Sequence, residues 1–211
     1  MKVEIWSDIA CPWCAIGRRR FEAALADFDG RDEVSVRWRS FELDPRAPRV
    51  REGSLTDTLV GKYGVSRERA DGMQRSITET AAVDGLEFRF DLARGGNTFD
   101  AHRLLHLAAD RGLQPAVQDR LFTAYFREGE PIGDPEALRR VMAGTGLDDD
   151  EVRTVLDGDA YGDAVRADQE LARRLGITAV PFFVLDDRYG VSGAQPVAVF
   201  KEALATATAA A

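Results

Sequence analysis

The chain has 211 residues, 45% of them hydrophobic and 30% charged, with a formal net charge of −8. This suits one large soluble domain, or one domain carrying a substantial insertion, and the negative balance argues against nucleic acid as a partner, because affinity for phosphate backbones rests on clustered Lys and Arg. No apolar stretch approaches the ~20 residues of a membrane helix, and Met1 runs straight into a strand-like segment with no basic or long apolar leader; the expectation is a cytoplasmic protein without a membrane partner.

Lys2-Val3-Glu4-Ile5 alternates polar and apolar residues, as a half-buried strand does. Pro12 then sits where a helix start tolerates a missing N–H. Ile16, Phe21, Leu25 and Phe28 give that helix an apolar face, and Gly30 is expected to end it. Arg18-Arg19-Arg20 splays over most of a turn and reads as a solvated face. Val34, Val36 and Trp38 alternate with Ser35, Arg37 and Arg39 as a second strand.

After a loop from Asp44 to Gly53 the period becomes helical for over a hundred residues. Ser54 with Asp57 looks like a capping pair, followed by Leu55, Leu59 and Tyr63 at helical spacing. Ser66 opens a helix with Met73, Ile77 and Ala81 on one side, and Thr98 precedes another that stops near Gly112. Pro115 begins the next, with Val117, Leu121, Tyr125 and Phe126 as its buried stripe. Asp134-Pro135 starts one more, Asp148 with Glu151 caps its successor, and a last one carries Val165, Leu171 and Leu175 up to Gly176. Strands then return. Phe182-Phe183-Val184-Leu185 is a continuously apolar run, expected to be buried on both faces, and Asp187-Arg188 turns it into Tyr189–Ser192. Pro196 begins a final helix with Val197, Phe200 and Leu204 inward, and the tail after Ala205 should fray. Neither strand-bearing end can bury its sheet alone. The two ends are therefore read as one α/β domain, 1–44 and 166–211, interrupted by an all-helical insertion, 45–165.

The chemistry is concentrated in the two cysteines of Cys11-Pro12-Trp13-Cys14, with none left over for a disulfide framework. Cys-x-x-Cys at a strand-to-helix junction brings two sulfurs within disulfide reach, and a thiol at a helix N-terminus is favoured as its thiolate. Cys11 is then the nucleophile and Cys14, one turn further in, the resolving thiol. A Cys2His2 zinc site with His102-x3-His106 is the first competing reading. The pairs lie much further apart than in a zinc finger, and no metal is expected. Two inert buried thiols are the second, which Pro12-Trp13 between them disfavours. His102-Arg103-Leu104-Leu105-His106 lacks the Glu of a zinc-protease motif. Val180-Pro181 precedes a central strand, an awkward place for Pro, although a trans bond is the default for any X–Pro pair.

Taken together, Ser7-Asp8-Ile9-Ala10-Cys11-Pro12-Trp13-Cys14 with Gly17, Asn97-Thr98, Ala101-His102-Arg103, Gly176-Ile177-Thr178-Ala179-Val180-Pro181-Phe182-Phe183 and Ser192-Gly193-Ala194-Gln195-Pro196 span almost the whole chain. With these segments the sequence resembles the DsbA family, and within it the FrnE-like group. The resemblance implies a thioredoxin-like fold with an inserted helical block. It also implies a cis Pro181 facing the cysteines, and a substrate that pairs with the Val180 backbone as an added strand. Pro12 and Trp13 beside the thiols, and Asn97 and His102 from the helical side, are the further substrate-binding candidates. Many thioredoxin-fold redox proteins bury a carboxylate six residues before the first cysteine. That position is Ile5 here, which leaves open which group serves Cys14, Glu4 and Asp8 being near. The expected function is thiol–disulfide oxidoreduction on protein or small-molecule thiols and disulfides. No tightly bound cofactor is expected, glutathione is a candidate redox partner, and the oligomeric state is left open. The alternative is a glutathione-dependent isomerase or transferase of the kappa or 2-hydroxychromene-2-carboxylate isomerase type. Those relatives usually carry Ser in place of the nucleophilic Cys, so Cys11 and Cys14 favour the redox reading.

Overall fold

The computed structural model describes residues 1–209. The chain divides into two compact units, one made of Met1–Phe41 with Val165–Ala211 and the other of Glu42–Ala164. No helix among the described residues is long and apolar enough to cross a membrane.

The first unit holds a four-stranded sheet in the order β2-β1-β3-β4, with β1 Lys2–Ser7, β2 Ser35–Ser40, β3 Phe182–Leu185 and β4 Tyr189–Ser192. β1 runs parallel to β2 and antiparallel to β3, with Ile5 opposite Trp38 on one side and Phe183 on the other. Helix α1, Pro12–Ala26, makes the crossover that a parallel pair requires. Two further helices complete the unit, α8 (Gly162–Arg174) and α9 (Val197–Ala209). Odd residues of β1, Val3 and Ile5, pack with Phe21 and Ala24 of α1 and with Phe200 and Leu204 of α9. Phe183 and Phe200 meet with ring centroids 4.6 Å apart and Phe21 and Phe183 at 5.5 Å. Such edge and tilted pairs add about 0.5–1.5 kcal/mol each beyond their area. On the other face Trp6 packs with Ala172 of α8 and Ile177. The architecture is a thioredoxin-like fold interrupted by a helical insertion.

Several local expectations change. β1 is not half-buried: every residue after Lys2 is buried, because helices cover both faces. α1 stops at Ala26, and Phe28 packs on the core from beyond the helix while Gly30 opens a 3-10 turn, Arg31–Glu33. Of the arginine run only Arg19 is exposed. Arg18 pairs with Glu22 at 2.8 Å, and Arg20 donates to the Ala194 carbonyl at 2.8 Å. In β3 only Phe183 and Leu185 are fully buried. Leu175 lies past the last turn of α8 and is exposed; the buried stripe is Val165, Asp168 and Ala172, which keep helical phase. The final helix does not fray after Ala205: it continues through Ala209, with Ala207 in the core, and residues 210 and 211 lie outside the described part.

The second unit is helical: α2 Leu55–Tyr63, α3 Arg67–Val83, α4 Phe99–Asp110, α5 Gln114–Thr123, α6 Pro135–Met142 and α7 Asp149–Asp157. Its starts follow local chemistry. Ser54 and Asp57 form a reciprocal capping box, Asp134 accepts from the Ala137 N–H, and Asp148 accepts from those of Asp150 and Glu151. Tyr63 and Met73 are exposed rather than inward. The stripe read across Val117 to Phe126 breaks phase, because α5 gives way at Ala124 to one π turn, Ala124–Glu128. Tyr125 and Phe126 are still buried, with Phe126 stacked on Phe88 at 4.5 Å.

Candidate functional site

The cysteine pair is built by the turn between β1 and α1. The Cys11 N–H donates to the Asp8 carbonyl at 3.1 Å, and Asp8 Oδ1 accepts from the Ala10 N–H at 3.4 Å. Cys11 is the N-cap of α1, extended at φ −94° and ψ 112°, and Pro12 fills the first helical position, where no N–H is needed. The Cys11 carbonyl accepts from the N–H groups of Cys14 at 3.0 Å and Ala15 at 3.4 Å. This geometry sets the Cys11 sulfur at the positive end of the helix. Both thiols are free. Cys11 is 4% exposed and Cys14 wholly buried, while Trp13 between them is 41% exposed.

Opposite the pair stands the Val180–Pro181 bond, which is cis. The Cys11 thiol donates to the Val180 carbonyl at 3.7 Å, and the Gly193 N–H holds the Pro181 carbonyl at 2.8 Å. Gly17 permits this approach: a Cβ there would lie 2.8 Å from Pro181 Cγ and 3.4 Å from Ala194 Cα. Cys11, Pro12, Trp13, Cys14, Val180 and Pro181 thus come together within one unit.

Burial foremost, then the hydrogen bond with Cys11 and its charge, push the Cys14 thiol well above the ordinary cysteine range. The Ser7 side chain and the Asp8 main-chain N–H act in the opposite direction. Ser7 and Asp8 are themselves 3% and 2% exposed.

Sequence reasoning missed a buried charge network on the opposite face of the sheet. Arg39 Nε donates to Glu4 Oε1 at 2.8 Å and Arg39 Nη1 to Asp168 Oδ1 at 2.7 Å. Asp168 Oδ2 accepts from the Ser40 N–H at 2.9 Å, and the Asp168 carbonyl accepts from Trp6 Nε1 at 3.0 Å. Desolvation weakens the charge of Arg39, but Glu4 and Asp168 outweigh it and hold its pKa above the usual value. Glu4 is therefore committed to Arg39, on the other face from Ile5. Two signals were present, a carboxylate in a strand and one in phase with the inner stripe of α8.

Asn97 and His102 belong to the helical unit. Asn97 Oδ1 accepts from the Phe99 N–H at 2.8 Å and so serves the start of α4, where Thr98 makes no side-chain cap. His102 is 1% exposed on α4. Among the described residues no group of three or more His, Cys, Asp or Glu side chains is placed to hold a metal ion.

The chain is similar to a probable DsbA oxidoreductase from Streptomyces coelicolor, at 49% identity and a TM-score of 0.95 over 99% of this chain and 90% of that one. YwbO of Bacillus subtilis, an uncharacterised protein, is 29% identical over 204 residues, 96% of this chain and 94% of YwbO. The cytosolic disulfide reductase DsbM from Pseudomonas aeruginosa, in its structure with GSH, shares the fold at a TM-score of 0.67 and 20% identity over 98% of each chain. With the DSBA-like thioredoxin domain matched across residues 2–205, from the first strand into the last helix, the chain belongs to that family.

Proposed function

We propose that the protein is a thiol–disulfide oxidoreductase of the FrnE-like group, with Cys11 as nucleophile and Cys14 as resolving thiol. One observation carries the reading: Cys11 caps α1 with its sulfur 3.7 Å from the Val180 carbonyl, beside a wholly buried Cys14. The two sulfurs are inequivalent. Cys11 sits where the free N–H groups of the helix favour negative charge. Cys14 is held in its protonated form by burial and by Cys11. The Cys11 thiolate attacks a substrate disulfide, one substrate sulfur leaves as a thiolate, and a mixed disulfide forms. Cys14 then displaces the remaining substrate thiol. The exposed Trp13 and the Val180 backbone line the approach, and the latter is positioned to pair with an extended peptide as an added strand.

The insertion at 45–165 is assigned to substrate selection, with Asn97 and His102 as its candidate contacts. Protein or small-molecule disulfides are the substrates. Glutathione is the proposed redox partner and no cofactor is held tightly. Cytosolic action is proposed with it, in line with DsbM, a cytosolic disulfide reductase solved with GSH.

The test is trapping. Cys14→Ser accumulates a mixed disulfide with an unfolded, disulfide-containing protein, and Cys11→Ser abolishes both turnover and trapping. Trapping by Cys11→Ser instead would reverse the assignment. Isomerisation of a glutathione adduct without disulfide exchange would replace it with the isomerase reading.

A further inference from the structure

Resting on that reading, we propose that the Ser7 hydroxyl is the donor that activates Cys14 for its resolving attack, making Ser7 a third catalytic residue of the site. The problem it solves is set by burial. Cys14 is wholly buried, and a buried thiol gives up its proton reluctantly because no water stabilises the anion.

Geometry places Ser7 at that anion. Alternation along β1 puts Val3, Ile5 and Ser7 on the sheet face that α1 covers. Cys14 lies in the first turn of α1, and helical side chains lean back toward the helix N-terminus, here toward the end of β1 where Ser7 stands. Ser7 is 3% exposed; its Oγ makes no well-formed hydrogen bond, and the group its side chain acts on is the Cys14 thiol. A buried hydroxyl short of a well-formed hydrogen bond is a cost that folded proteins seldom carry without a use. A neutral thiol is a weak acceptor, whereas a thiolate would take the hydroxyl proton fully. The hydroxyl is thus a donor held for a charge that exists only during reaction.

The groups around Cys14 also give the timing. Cys11 opposes ionisation of Cys14, while Ser7 and the Asp8 main-chain N–H favour it. Once Cys11 is joined to substrate it carries no charge, its opposition ends, and the two donors act alone. Cys14 loses its proton and its sulfur attacks Cys11 Sγ. The Cys11–Cys14 bond forms, and the bond from Cys11 to substrate breaks. The electron pair leaves on the substrate sulfur, which takes up a proton to match the one Cys14 released. The Cys11–Cys14 pair is oxidised and the substrate disulfide is reduced to two thiols.

Stopped-flow reaction of the reduced protein with an aromatic disulfide whose thiolate absorbs tests this, because attack by Cys11 releases one thiolate and resolution by Cys14 releases the second. Ser7→Ala should leave the first phase unchanged, slow the second about tenfold and move its rate–pH profile to higher pH. Ser7→Thr, which keeps the hydroxyl, should restore both. The Tm of reduced Ser7→Ala should change little, since the hydroxyl makes no well-formed hydrogen bond in the reduced protein. A second phase with wild-type rate and pH profile in Ser7→Ala overturns the inference and leaves the oxidoreductase reading intact. Equal slowing of both phases with a lowered Tm makes Ser7 structural and overturns it too. If Ser7→Ala does not fold, Ser7→Thr decides, because its second phase must then match wild type. Absence of both phases in the folded wild-type protein sinks the reading and the inference together.

Discussion

The two units bury charge in different ways. In the sheet-bearing unit Arg39 is held between two carboxylates, Glu4 and Asp168, the second of them 129 residues away along the chain. In the helical unit Arg103 is 4% exposed, yet its neighbours are mostly main-chain carbonyls. Its Nε donates to Ala160 O at 2.8 Å and its Nη2 to Gly158 O at 2.7 Å and to Val155 O, while Nη1 meets Asp100 Oδ1 at 2.8 Å. The second arrangement finishes the C-terminal end of α7, where carbonyls lack helical partners and a cation suits the dipole. The first ties together pieces of chain that are remote in sequence. The sheet-bearing unit thus joins its two separated segments through paired side-chain charges, whereas the continuous helical unit has Arg103 reach 52 to 57 residues along the chain to main-chain carbonyls at one helix end.

This contrast can be broken by mutation. The largest effect is expected at Asp168. Asp168→Ala leaves Arg39 with Glu4 alone and strips the Ser40 N–H of its acceptor. Removing one partner of a buried pair costs roughly 3–5 kcal/mol, and because the Arg39 side chain is 18% exposed, solvent screening places the loss near about 3 kcal/mol. Asp168→Asn, which keeps an acceptor for the Ser40 N–H, should lose less. Denaturant unfolding measures both, and a loss under about 1 kcal/mol for Asp168→Ala would show that the network is not what joins the two segments. Arg103→Met comes next, at about 2 kcal/mol, since it keeps the apolar stem and removes charged hydrogen bonds to carbonyls. Amide exchange should show that loss confined to the end of α7. Uniform exchange throughout the helical unit would mean that Arg103 supports the whole unit and not only the end of α7.

The same difference decided what could be read in the amino-acid sequence. Ser54 with Asp57, Asp134 with Pro135 and Asp148 satisfy N–H groups two or three positions onward, so the helix starts were legible. The Cys-Pro-Trp-Cys turn was legible for the same reason, because its geometry lies within four residues. The Glu4–Arg39–Asp168 network was not, since nothing near Asp168 marks its partner, and α8 otherwise reads as a polar helix. Ser7 went unnoticed as a residue with its own role because a serine at a strand end is ordinary until the burial of its hydroxyl beside Cys14 is known. The π turn at Ala124 was hidden too, because Tyr125 and Phe126 remain apolar and buried whichever period the backbone takes.

The smallest effect is expected at Asn97, where local and functional roles can be separated. Its Oδ1 accepts from the Phe99 N–H at 2.8 Å, and losing a side-chain acceptor at a helix start costs about 1 kcal/mol. Asn97→Ala should lower stability by that amount, and Asn97→Asp, which keeps the acceptor, should recover it. The substrate role makes a different demand. If Asn97 contacts a bound polypeptide, Asn97→Ala should raise KM for a disulfide-containing protein and leave reaction with a small disulfide unchanged, because a small reagent needs only an accessible sulfur. Asn97→Asp should then fail to restore KM, since it replaces the amide donor with a carboxylate. Recovery of both stability and KM by Asn97→Asp would reduce Asn97 to a capping residue, and the helical unit would have to select substrate through other side chains.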